Sequence, residues 1–154
     1  LRLFNKQRKV ELDISQELFD KIGKVGIEHY PNEFGGFLIG KYSYDYNTLF
    51  ITDFILPKSY RGNRYLFERS TKGIKSIFSQ LFKLKKEFYV GEWHTHPNGN
   101  TKYSSTDLNA MMNIESSKEV HIKNPVLLIL SVSDKKINQA TFYIYDNKKL
   151  ISYE

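Results

Sequence analysis

At 154 residues, 40% of them hydrophobic and 15% aromatic, the chain suits a single domain, residues 1–154, whose core needs no covalent staple. It contains no cysteine, which excludes disulfides and thiolate metal sites, so any metal must be held by histidine and carboxylate. The net charge of +6 permits an acidic partner, nucleic acid included, but the lysines are scattered through the chain and read as a solvated basic surface. No apolar run of about 18 residues and no charged-then-apolar leader is present, so a soluble, cytoplasmic protein is expected.

In chain order, Val10-Glu11-Leu12-Asp13-Ile14 alternates apolar and charged residues, as a half-buried strand does. Ser15 then caps a helix with Leu18, Ile22, Val25 and His29 on one stripe, stopped by Pro31-Asn32. His29 falls at the helix end, where a cation suits the dipole, and is expected to be structural. Glu33-Phe34-Gly35-Gly36-Phe37-Leu38-Ile39-Gly40 is a strand punctuated by glycines, which weaken it unless another backbone or a ligand must come close. Glu33 is then either a solvated residue at the strand mouth or a carboxylate facing a site. Thr48 to Leu56 pairs with this strand as a hairpin across Ser43 to Asn47. Lys58 to Arg64 is polar and irregular, Tyr65 to Phe67 extended, and Lys58, Arg61 and Arg64 are candidate substrate contacts. Ser70 is expected to cap a second helix that buries Ile74, Ile77, Phe78, Leu81, Phe82 and Leu84.

The most informative stretch is Gly91-Glu92-Trp93-His94-Thr95-His96-Pro97, followed by Ser104-Ser105-Thr106-Asp107. Residues i and i+2 of a strand share a face, so both imidazoles can reach one metal ion. Pro97 ends the strand and Asn98-Gly99-Asn100 turns the backbone round. If Ser104 caps the next helix, Asp107 stands at its third position and completes a His, His, Asp set. Three protein ligands with a fourth position free is the pattern of a catalytic zinc. Each part has a plainer explanation: Ser-x-x-Asp is a common capping arrangement, and His-x-His pairs occur by chance. Glu92 lies on the His94 face and is either a rival base or a carboxylate orienting a ligand histidine; Trp93 is a further candidate substrate contact. Beyond the site, Leu108, Met111, Met112 and Ile114 continue a short helix, and Glu115 to Asn124 reads as a loop. Pro125 to Val132 is apolar on both faces, as in a covered central strand, and Gln139 to Tyr145 finishes the sheet. The order β-α-β-β-β-α-β-α-β-β implies a mixed sheet flanked by helices, an α/β fold.

Glu33-x-x-Gly36-x-Leu38-x-Gly40, then His94-x-His96-Pro97 and Ser104-x-x-Asp107, resembles the JAMM (JAB/MPN-plus) metalloproteases over most of the chain. The surroundings of Trp93 look closest to the small bacterial JAB proteins of antiphage operons, CBASS and ubiquitin-like conjugation systems among them. The resemblance implies a cytidine-deaminase-like JAB/MPN fold and one zinc per chain on His94, His96 and Asp107. It further implies Glu33 as general acid/base and Ser104 as an assisting hydroxyl. The activity implied is that of a deubiquitinase-like isopeptidase or peptidase, cutting after the C-terminal tail of a conjugated protein. That protein would be a cGAS-like nucleotidyltransferase or a ubiquitin-like modifier, with a functional link to a ubiquitin-activating and conjugating type of enzyme. Trimming of a sulfur-carrier-type ubiquitin-like protein is the alternative within the class, and a non-catalytic basic binding module the alternative outside it.

Overall fold

A computed structural model describes residues 1–154. In chain order the elements are β1 (Arg2–Asn5), β2 (Val10–Ile14), α1 (Gln16–Glu28), β3 (Gly35–Tyr42), β4 (Thr48–Ile55), β5 (Tyr60–Gly62), β6 (Phe67–Arg69), α2 (Lys75–Lys85), β7 (Phe88–Pro97), α3 (Ser105–Ser116), β8 (Val126–Val132), β9 (Ile137–Asp146) and β10 (Lys149–Ser152). Eight strands form one sheet in the order β1-β2-β4-β3-β7-β8-β9-β10, and β5 and β6 pair only with each other. The sheet is mixed as expected: β2–β4 and β7–β8 run parallel and the remaining neighbours antiparallel.

Burial explains which strands are central. Every residue of β8 is buried, its side chains alternating between two cores. Leu128 and Leu130 join Leu12, Ile14, Ile22 and Trp93 under α1, whereas Leu127 and Ile129 join Phe37, Ile39, Met111 and Ile114 on the face carrying α2 and α3. Helix α1 begins where expected because the Ser15 hydroxyl accepts the Leu18 N–H at 3.1 Å. His29 at its end is structural: Nδ1 lies 2.9 Å from the Val25 carbonyl and the ring stacks on Phe34.

Five expectations need correction. The first is that Tyr60–Gly62, in a stretch expected to be irregular, pairs with Phe67–Arg69, while Tyr65 and Leu66, expected to be extended, form the turn between them. Strand β1 adds an unexpected edge, held by ladder bonds to β2 and by Arg2 on Asp13, in a segment too short to show a period. The sheet is finished by β10, not by β9. Ser70 closes only a local turn, accepting the Lys72 N–H at 3.0 Å, and α2 begins at Lys75 after Ile74, without a side-chain cap. Finally, Phe82 and Leu84 are 52% and 82% exposed: the helix packs through half-buried Ile77, Phe78 and Leu81, with Ile74 buried just before it.

Candidate metal centre and groove

Strand β7 carries the two histidines out of the centre of the sheet. Opposite β3, Gly91 pairs with Leu38 but Tyr89 pairs with Ile39, so Val90 is an unmatched bulge residue. The bulge re-phases the alternation: Val90, Trp93 and Thr95 turn toward α1, while Tyr89, Glu92, His94 and His96 turn toward α2 and α3. Beyond Pro97 the chain turns at Asn98, whose φ is +55° and whose N–H donates to Val132 O at 2.8 Å. The crossover from β7 to parallel β8 then runs through α3, which places the α3 N-terminus beside the C-terminal end of β7.

At that N-terminus Ser104 and Asp107 form a reciprocal capping box: Ser104 Oγ accepts the Asp107 N–H at 3.1 Å, and Asp107 Oδ2 accepts the Ser104 N–H at 2.8 Å. The plain capping explanation and the ligand explanation are therefore compatible, because the same carboxylate faces both histidines. His94 Nε2 is 3.1 Å from His96 Nε2 and 3.2 Å from Asp107 Oδ1, and His96 Nε2 is 3.6 Å from Asp107 Oδ2. Donors at ordinary zinc–ligand lengths of about 2.0–2.2 Å and tetrahedral angles stand roughly 3.3–3.6 Å apart. With one donor atom from each residue, the three lie within 4.8 Å of one another, close enough for one ion to gather. The tautomer matches as well. His96 Nδ1 lies 2.8 Å from the Asn100 carbonyl, which can only accept, so the ring proton sits there and Nε2 presents its lone pair to the group. Burial alone would push Asp107 up, but His94 and His96 in their imidazolium forms, which can donate to it, and the Ser104 N–H hold it well below the usual carboxylate range.

Glu33 arrives from the segment just before β3. Phe34 is locked to the residue between the histidines: its N–H donates to Thr95 Oγ1 at 3.0 Å, and its carbonyl accepts the Thr95 N–H at 2.8 Å. Next to it, Gly35 stands opposite His94, and a Cβ there would lie 2.1 Å from the Trp93 carbonyl oxygen. The glycine is needed because another strand comes close. Glu33 consequently lines the same groove as His94 and Asp107, and its carboxyl is raised above the ordinary range, mainly by burial, against the lowering fields of His94 and His96.

The groove has a volume of about 1270 Å³ and leads from Glu33, His94 and Asp107 to apolar walls that include Phe78 and Phe82 of α2 and Met111 and Ile114 of α3. Of the remaining sequence candidates, Trp93 and Glu92 border the groove and the three basic loop residues do not. Trp93 is 1% exposed and its ring packs on Phe34 and Phe54 in the core under α1, so it offers a substrate almost no surface; alternation from His94 already carried that signal. Lys58, Arg61 and Arg64 lie outside the groove lining, and Arg61 is paired with Glu68 at 2.7 Å. Glu92 does line the groove, but its Oε1 accepts from Arg69 Nε and from Tyr89 OH, each at 2.8 Å, so its partners are these and not a ligand histidine. Arg69 also lines the groove, and the sequence did not single it out. Its contact spans 23 positions, and no local pattern marks it.

A helix-flanked mixed sheet with a His, His, Asp cluster and a glutamate at its side defines a JAB-type α/β domain. Residues 15–143 match the family described as prokaryotic homologs of the JAB domain, and the chain belongs to that family. It is similar to a protein named CD-NTase/cGAS isopeptidase from Enterobacter hormaechei subsp. hoffmannii (strain UCI 50), with 35% identity over 116 residues. That match takes in 75% of this chain and 62% of the relative, so the chain spans less than two thirds of the relative's length. Among solved structures, a Desulfitobacterium hafniense protein superposes with a TM-score of 0.64 at 12% identity, covering 92% of this chain and 88% of that one. A Salinibacter ruber protein does so with a TM-score of 0.57 at 17% identity, covering 92% and 86%. These two likenesses establish the fold alone.

Proposed function

We propose that the chain is a zinc-dependent isopeptidase or peptidase that hydrolyses the bond after the C-terminal tail of a conjugated protein. The observation that carries this reading is the spacing of the His94, His96 and Asp107 donor atoms, with Glu33 in the same groove. The substrate is a cGAS-like nucleotidyltransferase or a ubiquitin-like modifier joined to a lysine in a bacterial antiphage system. The relative's name supports this substrate class. The same reading places the chain in the cytoplasm and beside an activating and conjugating enzyme; no helix of the chain is long and apolar enough to cross a membrane.

His94, His96 and Asp107 would hold the zinc. When bound, the ion supplies a Lewis acid and lowers the pKa of a coordinated water toward ~7. The protein's own groups do the rest. Glu33 takes a proton from the attacking water as the new C–O bond forms. It delivers that proton to the lysine Nζ as the C–N bond breaks, leaving a free carboxylate and a free amine. Ser104 Oγ accepts the Asp107 N–H, so its own hydrogen is available to donate to the carbonyl oxygen as negative charge gathers there.

The test presents zinc-loaded protein with lysine-linked conjugates and linear fusions of both substrate kinds, and with a sulfur-carrier-type fusion. Cleavage after the tail, lost on chelation and in Glu33→Gln at equal zinc content, is the expected result. Conjugates and fusions left whole by the loaded protein would refute the reading. Cleavage of the sulfur-carrier fusion alone would move the substrate to that class.

A further inference from the structure

The β5–β6 hairpin is an appendage: its two three-residue strands bond to each other and not to the main sheet. A lone two-stranded hairpin is marginal in water, so its position must come from what fastens it. One fastening is at its tip. Glu33 N–H donates to the Asn63 carbonyl at 2.6 Å, and a Cβ on Gly62 would lie 2.6 Å from Glu33 O, so the turn rests directly against the Glu33 backbone. The turn is itself tight, with Asn63 Oδ1 accepting from Tyr65 N–H and Leu66 N–H at 2.8 and 3.0 Å. Another is the packing of Tyr60 and Phe67 on the Phe34 ring.

The remaining fastening is Arg69, at the far end of β6. Its guanidinium offers Nε and Nη2 to Glu92 Oε1 on β7, lies 5.2 Å from the centroid of Phe37, and shares that carboxylate oxygen with the buried Tyr89 hydroxyl. The side chains of Arg69 and Glu92 are only 26% and 13% exposed, so either left alone would be a poorly solvated charge. The pair therefore stays closed and fixes the hairpin to the strand that carries the histidines.

Resting on the hydrolase reading above, we infer that Arg69 is a positioning residue for Glu33: through Glu92 it holds the hairpin whose tip holds the Glu33 backbone. Glu33 is thus set from two sides, by Thr95 through Phe34 and by Arg69 through Asn63. The consequence is specific. Loosening the hairpin leaves the zinc ligands in place but lets the carboxylate that moves the proton drift, and a displacement of about 1 Å at such a group costs on the order of 10²-fold in rate.

The experiment compares Arg69→Met, Arg69→Lys and Glu92→Gln with wild type by zinc content, by kcat and KM on a cleaved conjugate, and by amide hydrogen exchange. Arg69→Met is expected to keep its zinc and change KM little, to lose about 10- to 100-fold in kcat, and to exchange the Glu33 amide faster while β8 stays protected. Arg69→Lys keeps the charge without the fork and recovers part of kcat; should Arg69→Met not fold, this variant carries the same comparison. Wild-type kcat together with an unchanged Glu33 amide would overturn the inference. So would a loss confined to KM, which makes Arg69 a contact for the tail, or a loss of zinc. If wild type cleaves no conjugate, the hydrolase reading fails separately, and the exchange rate of the Glu33 amide still decides whether Arg69 holds that segment.

Discussion

Replacing Gly35 by alanine tests whether close strand approach, and nothing else, put a glycine beside the site. The added Cβ would lie 2.1 Å from the Trp93 carbonyl oxygen, 2.8 Å from His94 Cβ and 3.0 Å from His94 Cα. Ordinary contact begins at 3.4 Å, so the oxygen must retreat by about 1.3 Å, the difference between the two distances. Two of the three obstructing atoms are backbone, so no rotamer change relieves the clash. Overpacking of this kind costs about 1–3 kcal/mol, and at about 2–4 °C per kcal/mol for a chain of this size Tm should fall by roughly 2–12 °C. The strain falls on His94 itself, and the segment that moves also carries Glu33, so turnover should drop on the order of 10²-fold. Thermal unfolding, zinc content and cleavage rate measured on one preparation give all three readouts. An alanine variant within ~0.5 kcal/mol of wild type and within about twofold in rate would refute the packing argument.

Asp107→Asn retains an oxygen to cap Ser104 N–H but loses the charge between the two imidazoles; titration with zinc should show at least about 10²-fold weaker binding, while the metal-free protein unfolds within about 1 kcal/mol of wild type. Ser104→Ala should cost about 1 kcal/mol of stability through the lost cap and on the order of 10² in kcat, and Ser104→Asn should restore the cap alone. Full turnover in Ser104→Asn would remove the hydroxyl from the proposed mechanism. A chelator should lower Tm, because zinc at about 100 times its Kd adds about 2.7 kcal/mol to the folded state; a Tm indifferent to chelation would count against the metal centre. Phe82→Ser should leave stability within about 0.5 kcal/mol, since half the ring is exposed, whereas Phe78→Ser, which packs on Phe37 and Tyr89, should cost several times more, as chemical denaturation will show.

The parts that the sequence made legible are those whose geometry is set within a few residues. A strand period places His94 and His96 on one face, a Ser-x-x-Asp cap places Asp107 in the first turn of α3, and both are fixed by local backbone geometry. Strand β8 was equally plain, because a run that is apolar on both faces, with Ser131 its one polar residue, fits a strand lying between two cores. What escaped depends on register and on distant contacts. The bulge at Val90 appears only when β7 is paired with β3, and it is the bulge that brings Tyr89 and Glu92 to one face. The late start of α2 follows from Ser70 and Thr71 closing a turn onto Lys72 and Ile74, a competition that residue types alone do not resolve.

The same division separates the two kinds of group in the site. The ligands proposed here need only a short, stiff path between their backbones, which is why one strand and one helix turn can bring all three donors together. A proton carrier has a harder requirement: it must reach the water and the leaving amine without joining the ligands, so it has to come from a different part of the chain. Glu33, the carrier proposed above, comes from such a part, and nothing within its own element fixes it, because β3 begins only at Gly35. Its position is borrowed from Thr95 on one side and from the hairpin on the other, over sequence distances of roughly sixty and thirty residues. Substitutions that spare His94, His96 and Asp107 but release either support should therefore separate zinc content from turnover, whereas substitution of any of those three should reduce both together.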